Sequence, residues 1–393
     1  MRILHTADWH LGRTLEGRSR IREQEEFLDE IAMIAEKEKA DIILMAGDVF
    51  DTVNPPAAAE TLFYDAAARL SDKGNRPFIA VSGNHDHPDR LCASIPLAKE
   101  LGITLIGSPE PKLFSAGAKR TGEIVEICAL PYPSESRLKQ LLADTQEEEG
   151  LRDGYDAWVR AYFESVASRF NPKNVNLAMS HIYVAGGNDS DSERPIHIGG
   201  AYTVAATTLP ASAQYTALGH LHRPQNVKRT ASPARYSGSP ISYSFSEAGQ
   251  SKSVTMIDVA PGQAASITEI PLSSGKPLVA WEAKGGLQEV YQFLDEGLYS
   301  NAWIDLSLHL TEAMPVEEIQ RLRKRHDGII HIKPVYAAEK SERERSVKAS
   351  QLPPDQLFKA FYEKQTGGAV PGDELVSLFL ELLNEDDAEE VKL

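Results

Sequence analysis

The feature that most constrains this chain is a repeated arrangement: an apolar run of strand length that ends on a side chain able to hold a metal ion. "RILHTA" leads to Asp8 and His10, "DIILMAG" to Asp48, and "RPFIAVSG" to Asn84 and His85. "NLAMS" leads to His181, and "YTALG" to His220 and then His222. Continuous apolar runs of this kind belong to strands buried on both faces, which need helices to cover them. Phe27, Leu28, Ile31 and Ile34 recur at helical spacing within 22–40, and 57–72 reads as a second helix. The alternation predicts an α/β fold. In open α/β sheets functional groups gather beyond the carboxyl ends of the strands. Five such strands in one sheet would bring all these polar ends to a single edge.

Further along, 103–131 carries short strand signals and 136–169 is helical and charged. "VNLAMSH" and "YTALGHLH" read as buried strands. "ARYSGSP", "SVTMIDV" and "ASITEIPL" read as antiparallel strands ending near residue 272. "SSGKP" (273–277) is a plausible domain boundary, and a small β-α-β-α-β unit follows it. The charged stretch 337–350 has the composition of a solvated linker.

Net charge is −16, which argues against a passive, basic protein that coats nucleic acid. It leaves nucleic-acid substrates open, because bound cations or a basic partner can supply positive charge. Cys92 and Cys128 are far apart, so neither a disulfide framework nor a zinc–thiolate site is expected. No apolar run reaches the length of a membrane span, and the start of the chain has no signal-peptide pattern. A cytoplasmic protein is expected.

Oxygen and imidazole donors without thiolate suit manganese, magnesium, iron or zinc rather than soft metals. Each piece has a plain alternative. Asp-x-His recurs by chance, "GDVFD" is a common turn, and a histidine ending an apolar strand is usually a hydrogen-bonded structural residue. In combination and in this order, each after a strand, they point to a dinuclear metal site. Asp86 is expected to orient His85 or its loop, and His5 and His87 to be structural and superficial, respectively.

Asp8-x-His10, Gly47-Asp48-x-x-Asp51, Gly83-Asn84-His85-Asp86, His181 and Gly219-His220-x-His222 resemble the motifs of the calcineurin-like metallophosphoesterases. The stretches "MRILHTADWHLG", "AGDVFDTVNPP", "GNHDHPDRL", "SDSERP" and "LGHLHRPQ" are similar to the bacterial DNA nucleases of that superfamily, and the similarity covers essentially the whole chain. It implies a two-sheet sandwich flanked by helices over 1–275, a small α/β cap that contacts DNA over 276–338, and a linker with a helical partner-binding tail over 339–393. It assigns one metal to Asp8, His10, Asp48 and His222, and a second to Asp48, Asn84, His181 and His220. Manganese is expected, with magnesium as the weaker alternative. His85 is expected as the catalytic residue, contacting the phosphate and the leaving 3′ oxygen. Some relatives carry a second catalytic histidine where this chain has Asp51, whose role stays open, as does that of the 190–195 segment.

The same resemblance implies exonuclease action on double-stranded DNA and endonuclease action at hairpins and blocked ends, in repair. It also implies a homodimer inside a heterotetramer with an SMC-like ATPase, and association with the nucleoid. The chain has no G-x-x-x-x-G-K-[ST] of its own, so any ATP dependence comes from the partner. Leu357, Phe358, Phe361 and Tyr362 form one apolar stripe, and Leu375, Val376, Phe379, Leu382 and Leu383 another. Such stripes need burial, by an ATPase partner or by packing on each other or on the cap. A basic run, Arg321 to His326, is either a DNA contact or a solvated helix face. The competing functions are a small-molecule or protein phosphoesterase of the same superfamily and a non-catalytic scaffold.

Overall fold

The computed structural model describes residues 1–133, 148–193, 202–312, 314–336, 354–365, 371–372 and 375–379. Two six-stranded sheets form the first compact unit, which comprises Met1–Ala280 and Asn301–Ile304. In the first sheet the strands run Ser266–Pro271, Ser253–Asp258, Arg2–Thr6, Ile42–Met45, Phe78–Val81, Ile103–Ile106. The last four are parallel, and the first two are attached antiparallel at one edge. In the second sheet the order is Gln225–Asn226, Ala234–Tyr236, Tyr215–Gly219, Val175–His181, Ile124–Leu130, Leu113–Gly117. Its four central strands are parallel.

The period of two along each strand builds three apolar layers. Ile42 and Leu44 face the second sheet, meeting Ile127, Leu177, Met179 and Ala217. Ile43 and Met45 face the other way, onto Phe27, Leu28 and Ile31 of helix Ile21–Lys37 and Phe63 of helix Ala57–Leu70. On the far side of the second sheet, Leu130, Ala178 and Leu218 pack under Tyr155, Val159 and Phe163 of helix Glu148–Ala167. The result is a helix–sheet–sheet–helix sandwich.

Two expectations need correction. The ligand-bearing strands do not share one sheet: Arg2–Thr6, Ile42–Met45 and Phe78–Val81 lie in the first, Val175–His181 and Tyr215–Gly219 in the second. An apolar strand pattern says that both faces are covered, and a sheet covers a face as well as a helix does. Ala234–Tyr236 is antiparallel to Gln225–Asn226, as expected, but parallel to its other neighbour, Tyr215–Gly219. Strand order is set by crossover connections that the local pattern does not encode.

Residues 273–276 are held against helix Ile21–Lys37: Glu30 accepts from the backbone N–H groups of Ser273 and Ser274, and Glu23 from that of Lys276. The second unit comprises Trp281–Ser300 and Asp305–Leu393. The small sheet Leu278–Ala283, Trp303–Leu310, Ile329–Tyr336 carries helices Gly286–Asp295 and Val316–Arg325 between its strands. In the helical tail, Phe358 stacks on Phe379 with ring centroids 4.3 Å apart. Leu357, Phe361 and Leu375 are exposed. The stretch 337–350 and Leu382–Leu383 lie outside the described residues. Among the described residues no helix is long and apolar enough to cross a membrane.

Candidate metal centre

Each donor sits in a turn just past a strand, or at its last residue. Trp9 explains the Asp8-x-His10 spacing: it is fully buried against Phe27, Phe63 and Phe78 and anchors the turn in the core between the two polar residues. The first two turns run side by side. Asp8 N–H donates to the Gly47 carbonyl and His10 N–H to that of Asp48, both at 3.0 Å. Asp8, His10, Asp48 and His220 all have positive φ, at 54°, 43°, 52° and 108°. For residues other than glycine this costs on the order of 1–3 kcal/mol each, and it persists where the surroundings over-determine it.

Two glycines make the close approach possible. A Cβ at Gly83 would lie 2.1 Å from Asp48 Oδ1, and one at Gly47, where φ is +92°, would lie 2.4 Å from His181 Nδ1. Asp86 does not reach the donors. Its carboxylate accepts from the N–H groups of Gly83, Val49 and Phe50, tying the third turn to the second.

The sequence-predicted donors converge from the two sheets. His10 Nε2 is 3.0 Å from His222 Nε2 and 3.6 Å from Asp48 Oδ2. His181 Nε2 is 3.3 Å from Asp48 Oδ2 and 2.9 Å from Asn84 Oδ1. His181 Nδ1 donates to the Ala46 carbonyl, which turns Nε2 toward the centre. Asp8 Oδ1 accepts the His220 N–H, and the His181 and His220 rings meet edge to face. Three groups have donor atoms all within 4.8 Å of one another: Asp8, His10 and His222; Asp8, Asp48 and His181; and His10, Asp51 and His85.

These residues fit divalent cations on two grounds. Asp8 Oδ2 is buried without a hydrogen-bond partner among the described residues, which is costly unless a ligand completes it. The electrostatics also lack cationic charge. Burial pushes Asp8 up to about 7 and His10 down to about 3, and drives His220 well below its usual range. Burial would lower His181 too, but the Asp48 carboxylate outweighs it and raises the imidazole to about 9. Burial would raise Asp48, yet His181 and His85 hold it well below the usual carboxylate range.

His85 stands beside this cluster. Its N–H donates to Asp48 Oδ1 and its Nδ1 to the Asp51 carbonyl, at 2.9 and 2.7 Å. The Asp51 carboxylate lies 3.5 Å from His10 Nδ1, 3.6 Å from Arg13 Nη1 and 3.9 Å from His85 Nδ1. His5 is buried against the Tyr215 hydroxyl, and His87 is exposed at the start of helix Pro88–Cys92.

Several contributors escaped the sequence reading. Ser192, Glu193, Glu247 and Lys252 are buried around His222. The first two fall in the segment 190–195, singled out without an assigned chemistry. Glu247 and Lys252 lie in a polar stretch with no periodicity or motif, and no signal in the sequence marks them.

A family model described as calcineurin-like phosphoesterase matches residues 1–224, and one described as Type 5 capsule protein repressor C-terminal domain matches residues 274–366. The SbcD subunit of nuclease SbcCD from Bacillus subtilis (strain 168) is 57% identical over 392 residues, covering 100% of both chains. The protein of the same name from Rhodobacter capsulatus is 37% identical over 75% of each chain. That of Escherichia coli (strain K12) is 30% identical, over 84% of this chain and 87% of its own. The chain belongs to the calcineurin-like phosphoesterases and, within them, to the family of SbcD subunits of the SbcCD nuclease.

Proposed function

We propose that this chain is the nuclease subunit of a complex that processes DNA ends in repair and recombination, working with an SbcC-type ATPase. It hydrolyses phosphodiester bonds as an exonuclease on double-stranded DNA and as an endonuclease at hairpins and blocked ends. The observation that carries the reading is the convergence of Asp8, His10, Asp48, Asn84, His181 and His222 on one buried point, with Asp8 Oδ2 and His85 Nε2 unpartnered there.

In this reading Asp8, His10, Asp48 and His222 hold one divalent cation, and Asp48, Asn84, His181 and His220 the other, with Asp48 shared. Manganese suits the mixed imidazole and oxygen set better than magnesium, which prefers oxygen alone. The two ions supply charge neutralisation at the phosphate and acidify a water. His85 acts beside them. With Nδ1 committed to the Asp51 carbonyl, its Nε2 faces the phosphate and, in the imidazolium form, donates to it or to the leaving 3′ oxygen. Asp51 holds His10 and Arg13 rather than touching substrate. Asp86 secures the turn that carries His85.

With an overall charge of −16, the positive charge that DNA needs comes from bound cations, a basic partner or a local basic surface. The exposed Arg323 and Lys324 on helix Val316–Arg325, beside Arg321 and Arg325 paired with Glu318 and Asp295, support a DNA-contacting role for the cap, 276–338. The tail, 339–393, docks on the ATPase, and the exposure of Leu357, Phe361 and Leu375 beside the Phe358–Phe379 stack supports this. The protein acts as a homodimer within a heterotetramer, in the cytoplasm at the nucleoid.

The test is cleavage of end-labelled duplex and hairpin DNA with manganese, with and without the ATPase, against a panel of nucleotides and small phosphoesters. Shortening of duplex ends and hairpin opening are expected. Hydrolysis of small esters with intact DNA in both arms would overturn the reading.

A further inference from the structure

Ser192, Glu193 and Glu247 are buried polar residues that converge on one histidine, with further bonds from Ser190 to Glu193 Oε2 and between the Ser190 and Ser192 hydroxyls, 2.8 Å apart. Glu193 Oε1 accepts the backbone N–H of His222 at 2.7 Å, and Lys252 Nζ donates to the His222 carbonyl at 3.0 Å. Ser192 Oγ lies 2.5 Å from the ring Nδ1 of His222. The Ser192 hydroxyl donates to Glu247 Oε1, which also accepts the Tyr243 N–H and lies 3.4 Å from His222 Nδ1. Glu247 Oε2 pairs with the Lys252 ammonium.

We propose that Ser192 and Glu247 are positioning residues, a buried hydroxyl–carboxylate relay that fixes the tautomer and orientation of His222 and thereby sets the affinity of one of two metal positions. The inference rests on the reading of His222 as a ligand. The logic is one of donors and acceptors. A carboxylate only accepts, so the single Ser192 proton points to Glu247. The serine lone pairs therefore face His222, and Nδ1 must carry the ring proton. Nε2 keeps its lone pair, on the side where His10 Nε2 stands 3.0 Å away. A carboxylate behind a metal-binding imidazole orients the ring and raises its basicity. A buried ion pair such as Glu247–Lys252 is otherwise weak evidence of stabilisation.

The backbone clamps and the ring relay separate by experiment. Ser192→Ala cuts the relay and leaves both backbone clamps, while Ser192→Thr keeps the hydroxyl. Glu247→Gln combined with Lys252→Met removes both buried charges at similar volume, together with the Lys252 clamp on the His222 carbonyl, so Ser192→Ala alone isolates the relay. Manganese binding is titrated by calorimetry and by the electron paramagnetic resonance of the free ion, with melting of the ion-free protein recorded alongside. One manganese is expected to bind at native affinity and the other about 10–100-fold more weakly in Ser192→Ala. Ser192→Thr restores most of the loss, and the double variant weakens the same ion. Native affinity for both ions in Ser192→Ala and the double variant would overturn the relay. So would equal losses in the Ala and Thr variants that track a fall in melting temperature. His222→Ala is run in parallel. If it loses one ion while Ser192→Ala loses none, only the relay fails. If it keeps both ions, the ligand reading fails and the relay with it.

Discussion

The two halves of the candidate centre are held in different ways. Asp8, His10, Asp48 and Asn84 arrive on turns from adjacent parallel strands of one sheet, and those turns are pinned to each other by main-chain hydrogen bonds and by Asp86. His181, His220 and His222 arrive from the other sheet, and His222 is held by side chains from two distant segments, 190–193 and 247–252. The first half is a property of local backbone: short spacings, glycines and positive φ. The second is a property of tertiary packing, and a substitution far from any motif can loosen it.

The strongest test of this contrast is the residue at which the two halves meet, Asp48, which lies beside His10 of one and His181 of the other. Asp48→Ala is expected to abolish cleavage more completely than any other single ligand change and to strip both ions, measured by elemental analysis and DNA cleavage on one preparation. Near-normal cleavage with two bound metals would mean the two halves do not meet at Asp48.

Next comes His85, which belongs to the first half by sequence and which the proposal makes an acid rather than a ligand. His85→Ala should lose roughly 10²–10⁴-fold in single-turnover rate while manganese stoichiometry and DNA affinity stay as in the wild type. Loss of metal together with rate would make it a structural support instead.

Asp86→Ala probes the backbone-pinned half directly. It leaves the N–H groups of Gly83, Val49 and Phe50 without their acceptor. At about 1–3 kcal/mol for each buried group left unsatisfied, partly relieved by water, denaturant unfolding should show a loss of several kcal/mol. An unchanged midpoint would show that the main-chain pairing alone holds these turns.

A smaller effect is expected from ion binding itself. Manganese at a hundredfold excess over its dissociation constant should stabilise the folded chain by about 2.7 kcal/mol per site, and Asp48→Ala should lose that increment. A thermal shift as large in the variant as in the wild type would place the ions elsewhere.

The smallest effect on the centre is expected from removing residues 345–393. Metal content should not change, while co-purification with the ATPase should be lost. Undiminished complex formation would refute the docking role of the tail.

The strand–helix alternation, the donor residues at strand ends and the β-α-β-α-β order of the cap are all legible in the sequence, because they depend on periods of two and 3.6 and on spacings of a few residues. The Asp8-x-His10 spacing is read directly off the chain, whereas the anchoring of that turn by buried Trp9 is seen only in the fold. The division of the strands between two sheets, which the family resemblance implies, is not legible in the local pattern, since Ile42–Met45 and Val175–His181 show the same buried pattern whether a helix or a second sheet covers them. The parallel setting of Ala234–Tyr236 escapes for the same reason. Glu247 marks the limit most clearly. It lies 25 residues from His222 along the chain in a stretch without periodicity, and its importance exists only through contacts made after the two sheets have closed. The sequence by itself determined which chemical groups this protein brings to its centre. Only the tertiary structure decided which of them face one another and what holds them there, because that depends on desolvation and on hydrogen-bond partners that no local pattern records.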